Sequence, residues 1–226
     1  MVDWTARRRE ASSRTSHANR DQVELGVRSD YEVLLAWRDG DSDAADELIH
    51  RYFDPICRFF RSKLGDDVDD LIQRTFLDCV KAHERFRGEG SFRSYLFSIA
   101  HHRLFDHLRA TRRAPDFDSL TSLSVRDLGT TPSGAIVRSE EYSLLKDALD
   151  ELPLEHRVVL ELSYWEEMSA PEIAVVVGIP PNTVRSRLSR ARAALRSKLE
   201  SLEADPIQRG AQLEALGRVT GRLIAD

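Results

Sequence analysis

Residues 169–188 carry the strongest folding signal in this chain, because a helix start, a helix stop and a second helix start follow one another there. Ser169 and Glu172 have the Ser-x-x-Glu spacing of a capping box, which marks the beginning of a helix. Gly178 stands where a left-handed residue would end that helix, and Pro181 begins the next one. The segment therefore predicts a helix–turn–helix.

The second helix of this pair has two chemically different faces. Val184, Leu188, Ala191 and Leu195 recur at helical spacing, which predicts a buried back. Small polar side chains and arginines occupy the front and its flanks, and these residue types read base edges and phosphates in a major groove. The alternative is a solvated arginine-rich helix. The favoured prediction is duplex DNA binding through Asn182, Thr183, Arg185, Ser186, Arg187 and Arg190.

A second basic segment, residues 85–113, combines aromatic rings, two glycines and seven arginines. Bases of single-stranded nucleic acid stack on rings while arginine follows the backbone, and a glycine loop lets backbone groups approach a flipped base. For Phe92, Tyr95 and Leu96 a place in the hydrophobic core is the favoured alternative. The residues predicted to contact DNA here are Arg87, Gly88, Ser91, Phe92, Arg93, His102, Arg103 and Arg109.

Helical periodicity runs through most of the chain and strand-like alternation is nearly absent, so the predicted fold class is all-α. Two small helical domains are expected, a helical bundle over residues 30–113 and a helix–turn–helix domain over 139–200. The Pro-, Gly- and Ser-rich residues 114–138 have the composition of a flexible linker. Residues 1–29 are predicted to be a disordered basic arm, and 201–226 a C-terminal extension with a possible short helix.

The net charge of −5 argues against a nucleic-acid partner only when it is averaged over the whole chain. Between Arg185 and Lys198 there are six basic residues and no acidic one, and DNA responds to such a local block. The densest apolar run is far shorter than the roughly 20 residues of a membrane span, and no secretory signal is present. We therefore expect a cytoplasmic protein without membrane insertion.

Metal, cofactor and enzyme chemistry find no support in the sequence. His101 and His102 point about 100° apart on a helix, and no cysteine or carboxylate pattern completes a metal site. Cys57 and Cys79 lack the CxxC spacing, so buried thiols in a reducing compartment are favoured over a redox role. No paired-carboxylate, Cys/His or phosphate-loop constellation is found. We expect no cofactor, no metal and no catalytic residue.

Three motifs occur together in the two predicted domains: DDLIQRTF at 69–76, FRGEGSF at 86–92 and TVRSRL at 183–188. In this combination the chain resembles the extracytoplasmic-function (ECF) group of the sigma-70 superfamily of bacterial RNA polymerase. The resemblance identifies residues 30–113 as the family's domain 2 and residues 139–199 as its domain 4. It implies a sigma factor that directs core polymerase to promoters and helps to melt them.

The resemblance also implies roles for particular residues. The residues predicted above to contact DNA in segment 85–113 are implied to bind the −10 promoter element, and we call them the −10 set. The residues predicted on the second helix of the helix–turn–helix are implied to bind the −35 promoter element, and we call them the −35 set. The implied partners are promoter DNA, the clamp coiled coil and flap of core polymerase, and an anti-sigma factor. The linker would run through the active-site and RNA-exit channels. The residues implied to dock on the clamp coiled coil are Asp69, Asp70, Gln73 and Phe76.

The sequence departs from the family at positions that bear on promoter recognition. The family usually has Trp where Tyr95 stands, Asn where His102 stands, and commonly Gly where Asn182 stands.

The extension 201–226 could pack on domain 4 or bind a regulator. The alternative to a sigma factor is a stand-alone dimeric helix–turn–helix regulator that makes no contact with core polymerase.

Overall fold

A computed structural model of the chain describes residues 28–82, 91–112, 122–128 and 140–203. These residues contain eight α-helices and no strand, which confirms the predicted fold class. In chain order the helices are α1 (Asp30–Arg38), α2 (Ser42–Leu64), α3 (Asp69–Ala82), α4 (Phe92–Arg112), α5 (Glu140–Asp150), α6 (Leu154–Tyr164), α7 (Ala170–Val177) and α8 (Pro181–Glu203).

Helices α1 to α4 form an N-terminal bundle whose helix ends follow local capping chemistry. Ser29 and the side chain of Glu32 cap α1 reciprocally. The carboxylate of Asp41 accepts two backbone N–H groups at the start of α2. Gly65 follows α2 with φ of +81°, a conformation that glycine adopts without a steric penalty. These local contacts set where α1 begins and where α2 begins and ends.

Aromatic rings fill the centre of the N-terminal bundle. Phe60, Phe97 and Phe105 are fully or almost fully buried. The Phe59 ring meets the Phe60 and Phe97 rings edge-on, with centroids 5.5 Å and 5.7 Å apart. Since these residues come from α2 and α4, their packing fixes the two long helices against each other. This core therefore determines which residues of α3 and α4 face solvent.

Helices α5 to α8 form a C-terminal bundle, in which α8 packs against α5, α6 and α7. Its core consists of branched aliphatic side chains, among them Leu154, Val159, Ile173 and Val184, each with no exposed surface. Such residues interdigitate closely, and they hold α7 and α8 against each other. The last helix continues to Glu203, three residues past the predicted domain limit.

Part of the predicted linker, residues 122–128, is folded onto the C-terminal bundle. Ser124 pairs with Pro153 in an isolated β-bridge, and the N–H of Leu154 donates to the carbonyl of Leu123 at 2.8 Å. Val125 and Leu128 are buried. Their apolar side chains leave water on docking, which the Ser- and Asp-rich composition of the region does not reveal.

The two bundles also pack against each other, chiefly through α4 and α7. A buried ion pair between Lys63 of α2 and Glu161 of α6 joins them. Nothing in the sequence pattern predicts this packing. None of the helices that the structure describes has both the length and the apolar character that crossing a bilayer requires.

Candidate nucleic-acid and protein interfaces

The helix–turn–helix is built as the sequence predicts. Ser169 and Glu172 form the capping box of α7, in which the Glu172 carboxylate accepts from the Ser169 N–H at 2.9 Å. Gly178 ends α7 in the left-handed conformation, with φ of +70° and ψ of +28°. Pro181 is the first residue of α8. These local signals set where each helix begins and ends.

Helix α8 presents its polar front to solvent. Val184, Leu188, Ala191 and Leu195 are buried on its back, as predicted. The exposed residues of the front are Asn182, Arg185, Ser186, Ser189 and Arg190. Within this front the Arg185 guanidinium donates to the Asn182 side-chain oxygen at 2.6 Å, and Arg190 Nε donates to the Ser186 carbonyl at 3.4 Å. Exposed donors on a helix with an anchored back can enter a major groove.

Two members of the −35 set are not fully free on this surface. Thr183 is half-buried, and Arg187 pairs with Glu155 of α6 at 2.8 Å, with 19% of its side chain exposed. Arg192, on the flank of α8, donates to the Tyr164 hydroxyl at 2.8 Å. The Glu155 pair holds Arg187 against its own domain, so Arg187 is more constrained than the sequence alone suggests.

The first turn of α4 brings two members of the −10 set against the C-terminal bundle. The Ser91 hydroxyl donates to Glu172 Oε1 at 3.0 Å. The Arg93 guanidinium donates to the same oxygen at 3.1 Å and to the backbone carbonyl of Glu166 at 2.7 Å. Phe92 is buried in the core, which is the alternative that the sequence analysis favoured for it. Arg87 and Gly88 lie outside the described residues.

Farther along α4 the remaining members of the −10 set lie at or near the surface. His102 is exposed, and its Nδ1 lies 2.7 Å from the Ser98 carbonyl. Arg103 Nε donates to Asp78 of α3 at 2.6 Å, and Arg109 pairs with Asp106 at 2.7 Å. His102 and Arg109 lie seven positions apart on the same side of α4, whereas Arg103 points about 100° away from His102. Each of the three has a carboxylate or carbonyl partner nearby.

His101 has a very different environment from His102. It is buried, and its ring centroid lies 4.6 Å from that of Phe105. Burial, with smaller contributions from the charges of His102, Lys63 and Arg187, lowers the pKa of His101 to about 3. The imidazole is therefore neutral at physiological pH. The described residues contain no group of three or more His, Cys, Asp or Glu side chains placed to hold a metal ion.

Helix α3 exposes an acidic first turn followed by a mixed face. Asp69 and Asp70 each expose 69% of their side chains, and Gln73 is also exposed. Phe76 is buried, and its ring stacks on that of Phe53 with centroids 6.1 Å apart. Of the four residues predicted for docking, three expose their side chains to solvent and Phe76 packs into the core beneath the helix.

Sequence reasoning missed two exposed apolar residues of α3. Leu77 and Val80 are 46% and 40% exposed. Val80 directly follows buried Cys79, but a 100° step per residue carries Val80 to the edge of the buried face. Gln73, Leu77 and Val80 follow i, i+4, i+7 spacing, so helical periodicity places the two apolar residues on the same side of α3 as exposed Gln73.

A buried charge cluster between the bundles was also missed. Lys63 is fully buried and pairs with Glu161, which also accepts from Arg157 Nε at 2.7 Å. Arg157 in turn pairs with Asp150 and donates to the Ser62 carbonyl at 2.7 Å. Burial lowers the pKa of Lys63 to about 8 even beside Glu161. Burial alone would raise the pKa of Glu161, but the charges of Lys63 and Arg157 hold it below its usual range.

Comparison with known proteins places both bundles in one family. The family model described as "Sigma-70 region 2" matches residues 48–114, and the model described as "Sigma-70, region 4" matches residues 142–195. The first match covers the N-terminal bundle from α2 onward, and the second contains the helix–turn–helix.

Two curated relatives and one solved structure show the same likeness over most of the chain. The chain is 30% identical to the ECF RNA polymerase sigma-E factor of Haemophilus influenzae, over 77% of this chain and 97% of that protein. It is 30% identical to the ECF RNA polymerase sigma factor SigW of Bacillus subtilis, over 72% and 92%. CnrH, solved in complex with the cytosolic domain of CnrY, is similar with a TM-score of 0.57 and 26% identity, over 77% and 99%.

Proposed function

The chain belongs to the ECF group of sigma-70 RNA polymerase sigma factors, and from this membership we propose how its residues divide the work of promoter recognition. Factors of this family are DNA-binding proteins of transcription initiation that direct core RNA polymerase to promoters. The N-terminal bundle is assigned to domain 2 and the C-terminal bundle to domain 4. The observation that carries the assignment is α8, whose back is anchored in the core and whose polar front is exposed.

Duplex −35 recognition is assigned to the front of α8. Asn182, Arg185 and Arg190 project from a helix that the core holds rigidly, so their donors can meet base edges in the major groove. Arg187 is assigned to a neighbouring phosphate, because Glu155 already holds its guanidinium at the flank.

The −10 contacts are assigned to α4 and the glycine-containing segment before it. Ser91 directly precedes α4, Arg93 lies in its first turn, and His102 lies near the end of its third turn on the opposite side from Arg93. Arginine follows the backbone of a melted strand, and captured bases supply binding energy for melting. Arg103 and Arg109 extend the same basic helix. Promoter melting by binding energy requires no catalytic group, so we assign no enzyme activity to the chain.

Docking on core polymerase is assigned to the exposed face of α3. Asp69, Asp70 and Gln73 supply polar contacts, and Leu77 and Val80 add apolar surface beside them. A polar rim around a small apolar patch is common where proteins associate. Phe76 is assigned the role of positioning the helix from the core. An anti-sigma factor is a further proposed partner, since the structurally similar sigma factor RpoE of Bartonella quintana is solved with the anti-sigma factor NepR. A factor acting on the chromosome is expected in the cytoplasm.

The direct test is run-off transcription with purified core polymerase. The variant D70R places a positive charge on the proposed docking face and should abolish core binding while it leaves −35 duplex binding unchanged. The matched control is D46R, which makes the same charge change at an exposed residue of α2. R185A should weaken −35 duplex binding by about 1–3 kcal/mol.

Other outcomes would contradict these assignments. Equal loss of core binding in D70R and D46R would contradict the assignment of the docking surface to α3. Absence of core binding and of any promoter-specific transcript for the wild type would favour the alternative, a stand-alone dimeric regulator. That alternative predicts a dimer in solution whose duplex binding is unaffected by D70R.

A further inference from the structure

The N-terminal end of α8 carries a hydrogen bond between two exposed side chains. Nη1 of Arg185 donates to the side-chain oxygen of Asn182 at 2.6 Å. The two residues are three positions apart, which places them on the same face of the helix. The N-terminal end of a recognition helix is also the part that contacts base edges in the major groove. A hydrogen bond at this place therefore bears on which base the helix selects.

The orientation of the Asn182 amide follows from the chemistry of its partner. A guanidinium has five N–H donors and no acceptor, so the amide atom that faces Arg185 is the oxygen. The amide nitrogen of Asn182 then keeps two N–H donors of its own. On Arg185 the contact engages Nη1, and the parallel Nε and Nη2 donors are not used by it. The two side chains together present N–H donors to a ligand.

Donors and acceptors in the major groove distinguish guanine from adenine. Guanine presents two acceptors, N7 and O6, and the two parallel N–H groups of an arginine match them. Adenine presents the acceptor N7 beside the N6 amino group, which is a donor, and an asparagine reads this edge with its nitrogen and its oxygen. Arg185 by itself therefore favours guanine, whereas Asn182 by itself favours adenine.

The hydrogen bond between the two side chains decides this competition in favour of guanine. The Asn182 oxygen is directed at the Arg185 cation, so N–H groups and a positive charge lie where an adenine amino group would approach that oxygen. A donor that is forced to face other donors loses its hydrogen bond to water and gains none in return. Guanine, whose edge offers two acceptors, meets no such penalty.

Asn182 also restrains Arg185 without neutralising it. A long side chain loses rotamer freedom when it binds, and a contact that restricts it beforehand reduces this loss. Glu155 restrains Arg187 by an ion pair and leaves 19% of its side chain exposed. The acceptor for Arg185 is instead an uncharged amide, and Arg185 stays exposed. Arg185 thus keeps its charge for DNA while its guanidinium is held in place.

We propose that Asn182 is a positioning residue for Arg185, and that the two side chains act as one donor unit that selects guanine over adenine at one base pair of the −35 element. This inference rests on the proposed assignment of α8 to −35 recognition, and it adds the base that the unit selects. The family commonly has glycine where Asn182 stands, and glycine provides no side-chain acceptor. The donor unit is therefore a feature of this chain's own sequence.

The proposal is tested with the full-length protein and double-stranded oligonucleotides that contain a short randomised segment. Sequencing of the duplexes that the wild type retains gives the preferred sequence, and the base pair at which R185A loses the preference is the one that Arg185 reads. Two duplexes that differ only there, with guanine or adenine, are then compared by fluorescence anisotropy. The wild type should bind the guanine duplex from about fivefold to about 150-fold more tightly, the usual discrimination by one bidentate contact.

Three single variants separate the acceptor of Asn182 from other effects. In N182A the ratio of the two affinities should fall by about two- to tenfold, as expected for the loss of one hydrogen bond. N182D keeps an acceptor oxygen and should keep the wild-type ratio, although its negative charge weakens binding to both duplexes. The matched control S197A removes an exposed polar group about four turns farther along α8 and should leave the ratio unchanged.

The double variant N182A/R185A distinguishes positioning from an independent contact. In R185A no guanidinium remains to be positioned, so the addition of N182A should cause no further loss of guanine preference. The proposal would be overturned by an equal ratio in the wild type and N182A, by an N182A-like ratio in N182D, or by equal losses from N182A with and without Arg185. It would also be overturned if Arg185 determined no base preference, or a preference for a base other than guanine.

The proposed function fails in a different way from this inference. If the wild type enriched no duplex sequence at all, the assignment of −35 recognition to α8 would be wrong and the donor unit would be excluded with it. If instead a sequence is enriched but N182A leaves the base ratio unchanged, only the role of Asn182 is refuted. Circular dichroism of each variant establishes that the compared proteins are folded.

Discussion

The buried imidazole of His101 should make the fold sensitive to mild acid. Its pKa is about 3 in the folded chain, chiefly because burial excludes the charged form, against 6.5 when it is exposed. A folded-state pKa below the unfolded value means that unfolding takes up a proton. The stabilising contribution of neutral His101 is therefore complete above pH 6.5 and is lost progressively as the pH falls from 6.5 toward 3.

The size of the stability loss depends on how far the pH lies below the unfolded-state pKa of His101. At pH 5 the proton uptake of His101 should cost about 2 kcal/mol of unfolding free energy, since each pH unit in this window is worth about 1.4 kcal/mol. The variant H101Q removes the titrating group while it retains a polar side chain of similar reach. Between pH 7 and pH 5 the wild type should therefore lose about 2 kcal/mol more stability than H101Q does.

Urea unfolding of the full-length protein at the two pH values measures this difference, and proton NMR of the imidazole gives the pKa directly. H50Q is the matched control, because it removes a histidine from an exposed position of α2. H50Q should follow the wild type between pH 7 and pH 5. A His101 resonance that titrates near 6.5, or an equal pH dependence in the wild type and H101Q, would refute the argument from burial.

Three further predictions concern single positions. G178A should lower the unfolding free energy by about 1 kcal/mol, because φ is +70° and no atom lies within 4 Å of an added Cβ; thermal unfolding measures this, and an unchanged midpoint would contradict it. L128S should release residues 122–128 at a cost of about 2 kcal/mol, because Leu128 is buried; faster amide exchange there is the readout, and wild-type exchange rates would refute the docking. The Cys79 thiol should resist Ellman's reagent in the folded chain, because burial raises its pKa to about 12; rapid reaction without denaturant would count against its burial.

Much of the helix–turn–helix could be predicted from local sequence alone. Helix caps depend on contacts between residues three or four positions apart, so Ser169, Glu172 and Gly178 set the limits of α7 without reference to the rest of the chain. The 3.6-residue period likewise divides α8 into a buried back and a polar front, as the burial of Val184 and Leu188 shows. These features were enough to predict the fold class and the exposed front of α8, to which −35 recognition is proposed.

Only the tertiary structure decides how the polar groups are used once the helices pack. Glu172 satisfies a local cap by its spacing, but its contact with Arg93 joins residues 79 positions apart. Lys63 and Glu161 are 98 positions apart, and either would be expected at the surface from its residue type. Charges pair according to distance in space, which periodicity and spacing do not encode. The sequence by itself therefore determined the helices and their faces, whereas the packing of the two bundles decided which of those faces are open.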